Sequence, residues 1–141
     1  MSRRRQRGQA LVEAALVVLV SVPLVVGLLG LGRLIEAQAG VNAVAYEVAR
    51  SAASANTAGE AEQWGQQRKD ELAAPYRLTN GSLAVQIEAS SFGRGQPIQT
   101  VATYQVRFDD IPLLGWASRE VSGRHTERVE RFRSVRAEVA R

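Results

Sequence analysis

The chain has 141 residues, with 18 basic side chains against 14 acidic ones and no cysteine. That length holds one small domain plus connectors, and the lack of cysteine excludes a disulfide scaffold, a thiol nucleophile and a cysteine-ligated metal site. The net charge of +4 resides in Arg3, Arg4, Arg5 and Arg7, so the basic character belongs to a short leader and not to a nucleic-acid-binding face.

The basic cluster ends at Gly8. Gln9-Ala10-Leu11-Val12-Glu13 follows, and then residues 14–32 contain no charge at all. As a helix at ~1.5 Å per residue that run is about 28 Å long, close to the hydrocarbon thickness of a bilayer. Arginines directly before such a span favour keeping that end in the cytoplasm, which sends the C-terminal part across the membrane and away from nucleic acid. The apolar run exceeds the h-region of a cleavable signal peptide, and no small-x-small site follows it directly. Ala37-Gln38-Ala39 lies beyond Arg33 and Glu36, inside what reads as continuing helix. A twin-arginine signal fits less well, because Ser2-Arg3-Arg4-Arg5-Gln6 lacks hydrophobic residues after the pair. Two readings remain: an uncleaved signal anchor, and a leader cut before the hydrophobic segment. Pro23 removes one helical hydrogen bond and marks a bend. Gly27, Gly30 and Gly32 permit close helix approach without forming a GxxxG pair.

From Leu34 to about Ala55 the helix continues out of the membrane. Val41, Val44, Ala45, Val48 and Ala52 recur at helical spacing and form one apolar stripe. Arg33 with Glu36 and Glu47 with Arg50 are spaced as i, i+3 ion pairs on the solvated side.

The basic leader, Gly8 and the Gln-Ala-Leu-Val-Glu-Ala-Ala-Leu-Val that follows resemble the processing site of type IV prepilins, and more closely that of the TadE-like pseudopilins of the tight-adherence (Flp) pilus system. Gly32-Arg33-Leu34 and the Ala-rich segment from Asn42 to Ala53 extend the resemblance, which covers about residues 5–53. Gln9 stands where type IV pilins carry Phe, and the cysteine pair of some relatives is absent. The resemblance implies a prepilin peptidase as partner, cutting between Gly8 and Gln9, and other Tad/Flp pilins and pseudopilins as assembly partners within the lipid bilayer. Glycine before the scissile bond leaves the backbone open to a peptidase; without the resemblance it reads as a break between leader and helix. Cleavage gives Gln9 a new α-amino group, largely protonated near neutral pH. The resemblance assigns Glu13 to pairing with the terminal amine of a neighbouring subunit during assembly. Glu13 paired with its own amine one turn away, or hydrated among headgroups, are the competing readings.

Thr57-x-x-Glu60 is a capping-box signature for a second helix ending before Pro75, with Trp64 and Leu72 facing inward. Asn80-Gly81 is a tight-turn dipeptide. Leu83, Val85, Ile87 and Ala89 alternate with polar residues, as do Ile98, Thr100, Ala102, Tyr104, Val106 and Phe108. Such alternation predicts an antiparallel sheet with one covered face, and the stripe from Val41 to Ala52 is the natural cover. Residues 121–132 read as a charged edge strand, followed by a short Arg-rich helix or frayed tail. The connecting loop holds Leu113, Leu114 and Trp116, which either fold back as a lid on the core or form a contact patch for a partner subunit.

Chemistry is nearly absent. His125 alone cannot make a metal site, and Glu127 and Glu130 interleave with arginines as a salt-bridged face. Asp109-Asp110 could hold a cation weakly, with loop capping the simpler role. No phosphate loop or nucleophile elbow occurs. The expectation is an α+β protein without catalysis, metal or cofactor: leader 1–8, transmembrane helix 9–32, its amphipathic continuation 33–56, and an exported domain 57–141 with a second helix and a three- to four-stranded antiparallel sheet. It is expected in the cell membrane as a single-pass minor pseudopilin that acts in pilus assembly. The alternative is an uncleaved envelope protein with an extracytoplasmic interaction domain.

Overall fold

The computed structural model describes residues 3–89 and 92–129. Helix α1 (Arg3–Ala53) is continuous over 51 residues and passes through Pro23 without a break. Helix α2 (Ala58–Ala73) follows after a short turn. Strands β1 (Leu83–Glu88), β2 (Pro97–Arg107) and β3 (Ser118–Arg128) form one antiparallel sheet in the order β1-β2-β3. The fold is α+β as expected, with three strands among the described residues. Helix α1 begins at Arg3, so leader and span form one helix through Gly8.

Burial divides α1 into two parts. Thirteen large apolar side chains between Leu11 and Leu31 are exposed, whereas Val41, Val44, Ala45, Val48, Ala49 and Ala52 are fully buried. The predicted stripe is therefore the face that covers the sheet. It meets the inward residues of β2 (Ile98, Ala102, Tyr104, Val106) and Val121 of β3, with Phe108 and Ile111 closing the lower end. Small residues permit a close approach. A Cβ on Gly123 of β3 would lie 2.6 Å from Asn42 Oδ1 and 2.9 Å from the Asn42 backbone. One on Gly65 of α2 would lie 2.2 Å from Ile87 Cδ1. Strand β3 is an edge of the sheet, as expected, yet its inner face is held down by the helix. Phe132 and the tail lie outside the described residues.

Helix α2 starts where the capping signature places it. Thr57 Oγ1 accepts from Glu60 N at 3.2 Å, and Glu60 Oε2 accepts from Asn56 N at 2.9 Å, one residue earlier than in the usual reciprocal box. Leu72 is buried and Trp64 packs partly buried against the upper core. Asn80-Gly81 forms a bend leading into β1, not a hairpin turn. Gly81 is needed there because a Cβ would lie 2.1 Å from the Gln105 carbonyl oxygen of β2.

The charged pairs differ from those expected along the helix. Arg33 binds Asp110, Glu36 binds Arg77 at 3.1 Å, and Glu47 binds Arg68 at 3.1 Å, while Arg50 reaches the Tyr46 hydroxyl at 3.5 Å. The i, i+3 spacing is real, but partners brought in by the fold offer charge-assisted contacts that a weak local pair does not match.

Candidate membrane stem and its exit loop

Helix α1 is long and apolar enough to cross a membrane, and almost none of its most apolar stretch is buried in the fold. A helix apolar on all sides and left uncovered suits lipid. Gly8, Gln9 and Glu13 lie on its exposed N-terminal part. Gln9 and Glu13 share one face, four positions apart, and nothing approaches a Cβ at Gly8. Pro23 falls mid-stretch.

Leu113, Leu114 and Trp116 lie at the other end of the stem. Gly30 and Glu13 are 17 positions apart, or about 26 Å along a helix, so the fold does not join the two groups. Three successive turns build the loop: Ile111 N donates to Phe108 O (2.9 Å), Leu114 N to Ile111 O (3.1 Å) and Ala117 N to Leu114 O (2.8 Å). Pro112 and then Leu113 with φ of 68° give the middle turn a type II pattern, at whose third position glycine is usual. The loop divides the two expected roles between its residues. Leu114 folds back as a lid, its Cδ1 3.0 Å from the position of a Cβ on Gly30, whereas Leu113 and Trp116 are 67% and 87% exposed. The indole N–H of Trp116 donates to the Leu113 carbonyl at 3.2 Å, which closes the loop on itself.

Arg33 fixes this loop to the helix. Its Nη1 donates to the Arg107 carbonyl at 3.0 Å and to Asp110 Oδ1, and its Nη2 donates to Asp110 Oδ2 at 2.6 Å. The hydrogen-bonded guanidinium holds the Asp110 carboxyl below its ordinary value. Asp109 pairs with Arg107 at 3.1 Å. The two aspartates are thus engaged in ion pairs, and no cluster of three or more potential ligands occurs among the described residues.

His125 is half-buried, edge-on to Tyr46 with ring centroids 4.8 Å apart. Among the described residues, Glu127 lies 3.5 Å from His125 Nε2. Glu130 is outside the described residues. Sequence reasoning missed the Arg33–Asp110 tie; the only signal was an arginine directly after an uncharged run, with acidic residues in an otherwise apolar loop.

A long apolar stem carrying a small α+β head defines the class: a protein with, among the described residues, one helix that could span a membrane. Residues 8–50 match the family model described as TadE-like protein. The matched segment starts at Gly8 and runs through the exposed stem into the buried stripe, so this stretch is similar to the TadE-like proteins of Tad pilus systems. The match covers 43 of the 141 residues. No curated protein and no solved structure matches the chain.

Proposed function

We propose that the chain is a minor pseudopilin of the TadE type, without catalysis, acting in assembly of tight-adherence pili. Residues 9–32 span the cell membrane, the N-terminus is cytoplasmic, and the head is extracytoplasmic. A prepilin peptidase removes residues 1–8. The stem then joins Tad/Flp pilins and pseudopilins, with Glu13 partnering the terminal amine of a neighbour, because a charge entering an apolar bundle is costly unless paired. The observation that carries this reading is the TadE-like match beginning at Gly8 and covering the uncovered apolar stem. Within the helix, Gly8 is a poor helix former, which lowers the cost of opening the backbone for a peptidase.

The continuity of α1 through Gly8 favours a second reading, an uncleaved single-pass protein whose head binds a partner. Co-expression with a prepilin peptidase separates the two. N-terminal sequencing that starts at Gln9 supports the pseudopilin, and one that starts at Met1 or Ser2 supports the uncleaved anchor. Glu13→Gln should leave processing intact and reduce incorporation into pili several-fold, whereas unchanged incorporation removes the pairing role.

A further inference from the structure

The head and the apolar run overlap along the stem. Val26 packs against the main core, and Leu114 and Phe108 lie over Gly30. The head therefore begins about six positions before the end of the uncharged run 14–32, or roughly 9 Å along the helix. With the span at 9–32, water surrounding everything from Val26 upward would leave only residues 9–25 in lipid, about 26 Å of helix with the Glu13 carboxylate inside it, against a hydrocarbon core of about 30 Å. Because Val26 and Gly30 belong to that span and touch the head, the lower edge of the head shares the depth of its last two turns.

At that edge lie Leu113 and Trp116, the exposed large apolar side chains outside α1 among the described residues. Leu113 holds a positive φ that glycine or asparagine would adopt at lower energy, so the loop keeps a large apolar side chain at a conformational cost. Trp116 already has its N–H satisfied inside the loop, so its ring can leave water without stranding a donor. Arg33 directly follows the run and pairs with Asp110, which on the spanning reading places this pair at headgroup depth. Trp at the interface with a charged pair above it is the pattern of a membrane-boundary anchor.

We propose that the tip of the 112–116 loop is a second membrane contact: Leu113 and Trp116 insert into the headgroup–acyl boundary of the leaflet that α1 exits, fixing the head against the bilayer. This rests on α1 spanning the membrane. The occupant is lipid, because the patch is continuous with the lipid-facing end of the stem and lies at its depth.

The test uses the full chain reconstituted in phosphatidylcholine–phosphatidylglycerol vesicles. With Trp64→Phe, Trp116 is the single tryptophan; its emission should shift to the blue and be quenched by lipid brominated near the glycerol end of the acyl chain. In the converse variant, Trp116→Phe, Trp64 should show no such quenching. Leu113→Asn, which suits the positive φ, should keep the head folded by circular dichroism and reduce the quenching of Trp116. Alkaline extraction of the same vesicles reports the span separately. Loss of the protein from the membrane overturns the spanning reading and the loop contact with it. Retention with water-like, unquenched Trp116 overturns the loop contact alone. A blue shift that ignores brominated lipid but grows with protein density assigns the loop to a neighbouring subunit and overturns the proposal.

Discussion

Arg33 and Asp110 are 77 positions apart in sequence and joined by both guanidinium nitrogens. The pair ties the point where α1 leaves its uncharged run to the loop that follows β2, and through the Arg107 carbonyl it also reaches the end of the strand itself. Here α1 runs unbroken from stem into head, and the clasp, with Leu114 over Gly30, holds the loop after β2 against that helix.

The clasp makes the lower edge of the head acid-sensitive. Asp110 has a lowered pKa in the folded chain, chiefly through its hydrogen bonds with Arg33. Its contribution to stability is therefore present above the ordinary carboxylate value of 3.8 and is lost as pH falls through the lowered folded value. Asp110→Asn should remove that part of the acid dependence and loosen the loop at neutral pH. The check is an acid titration of the full chain in detergent micelles, followed by Trp116 emission. Identical acid profiles for the parent and Asp110→Asn would show that the clasp has no energetic weight.

Gly123→Ala should be among the most damaging single changes in the head. The added methyl would lie 2.9 Å from the Asn42 backbone, so relief requires moving α1 away from β3 and not just turning a side chain. Overpacking of this kind destabilises by about 2 kcal/mol. Gln38, whose Nε2 donates to the Ser122 carbonyl at 2.8 Å, would lose its geometry as the helix retreats. Thermal unfolding in micelles measures the loss, and Gly115→Ala, where the nearest backbone atom is 3.6 Å away, serves as the comparison.

Much of this architecture was legible because it depends on periodicity. The stripe at Val41, Val44, Ala45, Val48 and Ala52 and the alternation from Ile98 to Phe108 each name a face, and both faces are buried against each other. The Thr57–Glu60 signature marks a local event and falls where expected. What stayed hidden was pairing across the fold. Glu36 and Glu47 have cationic neighbours three positions away, yet they bind Arg77 and Arg68, which arrive only when α2 and the following turn pack on α1. Gly123 looked like one more residue of a charged strand, because a close helix–strand crossing leaves no periodic mark. The roles proposed for Gly8, Gln9 and Glu13 concern a peptidase and neighbouring subunits, which a single folded chain does not contain.

Thr57→Ala tests the start of α2. The substitution removes the oxygen that accepts from Glu60 N, and loss of such a cap costs about 1 kcal/mol. Glu60 retains its bond from Asn56 N, so the helix should shorten at its first turn and not dissolve. Amide hydrogen exchange should rise at residues 58–61 while the centre of α2, with Gly65 locked against Ile87, changes little.

Thr100 gives a prediction of the opposite sign. It sits at the centre of β2, paired with Ile87 on one side and His125 on the other, and is fully buried. Its Oγ1 has no hydrogen-bond partner among the described residues. A buried hydroxyl without a partner keeps its desolvation penalty and gains nothing in return. Thr100→Val preserves the β-branched shape that suits a central strand and replaces the stranded oxygen with a methyl group. The variant should therefore be more stable, by about 1 kcal/mol, with a higher unfolding temperature in micelles and unchanged membrane retention. If Thr100→Val instead destabilises the head, the hydroxyl has a partner in the folded protein, and Thr100→Ser, which keeps the oxygen and loses the methyl, would then be the milder of the two substitutions.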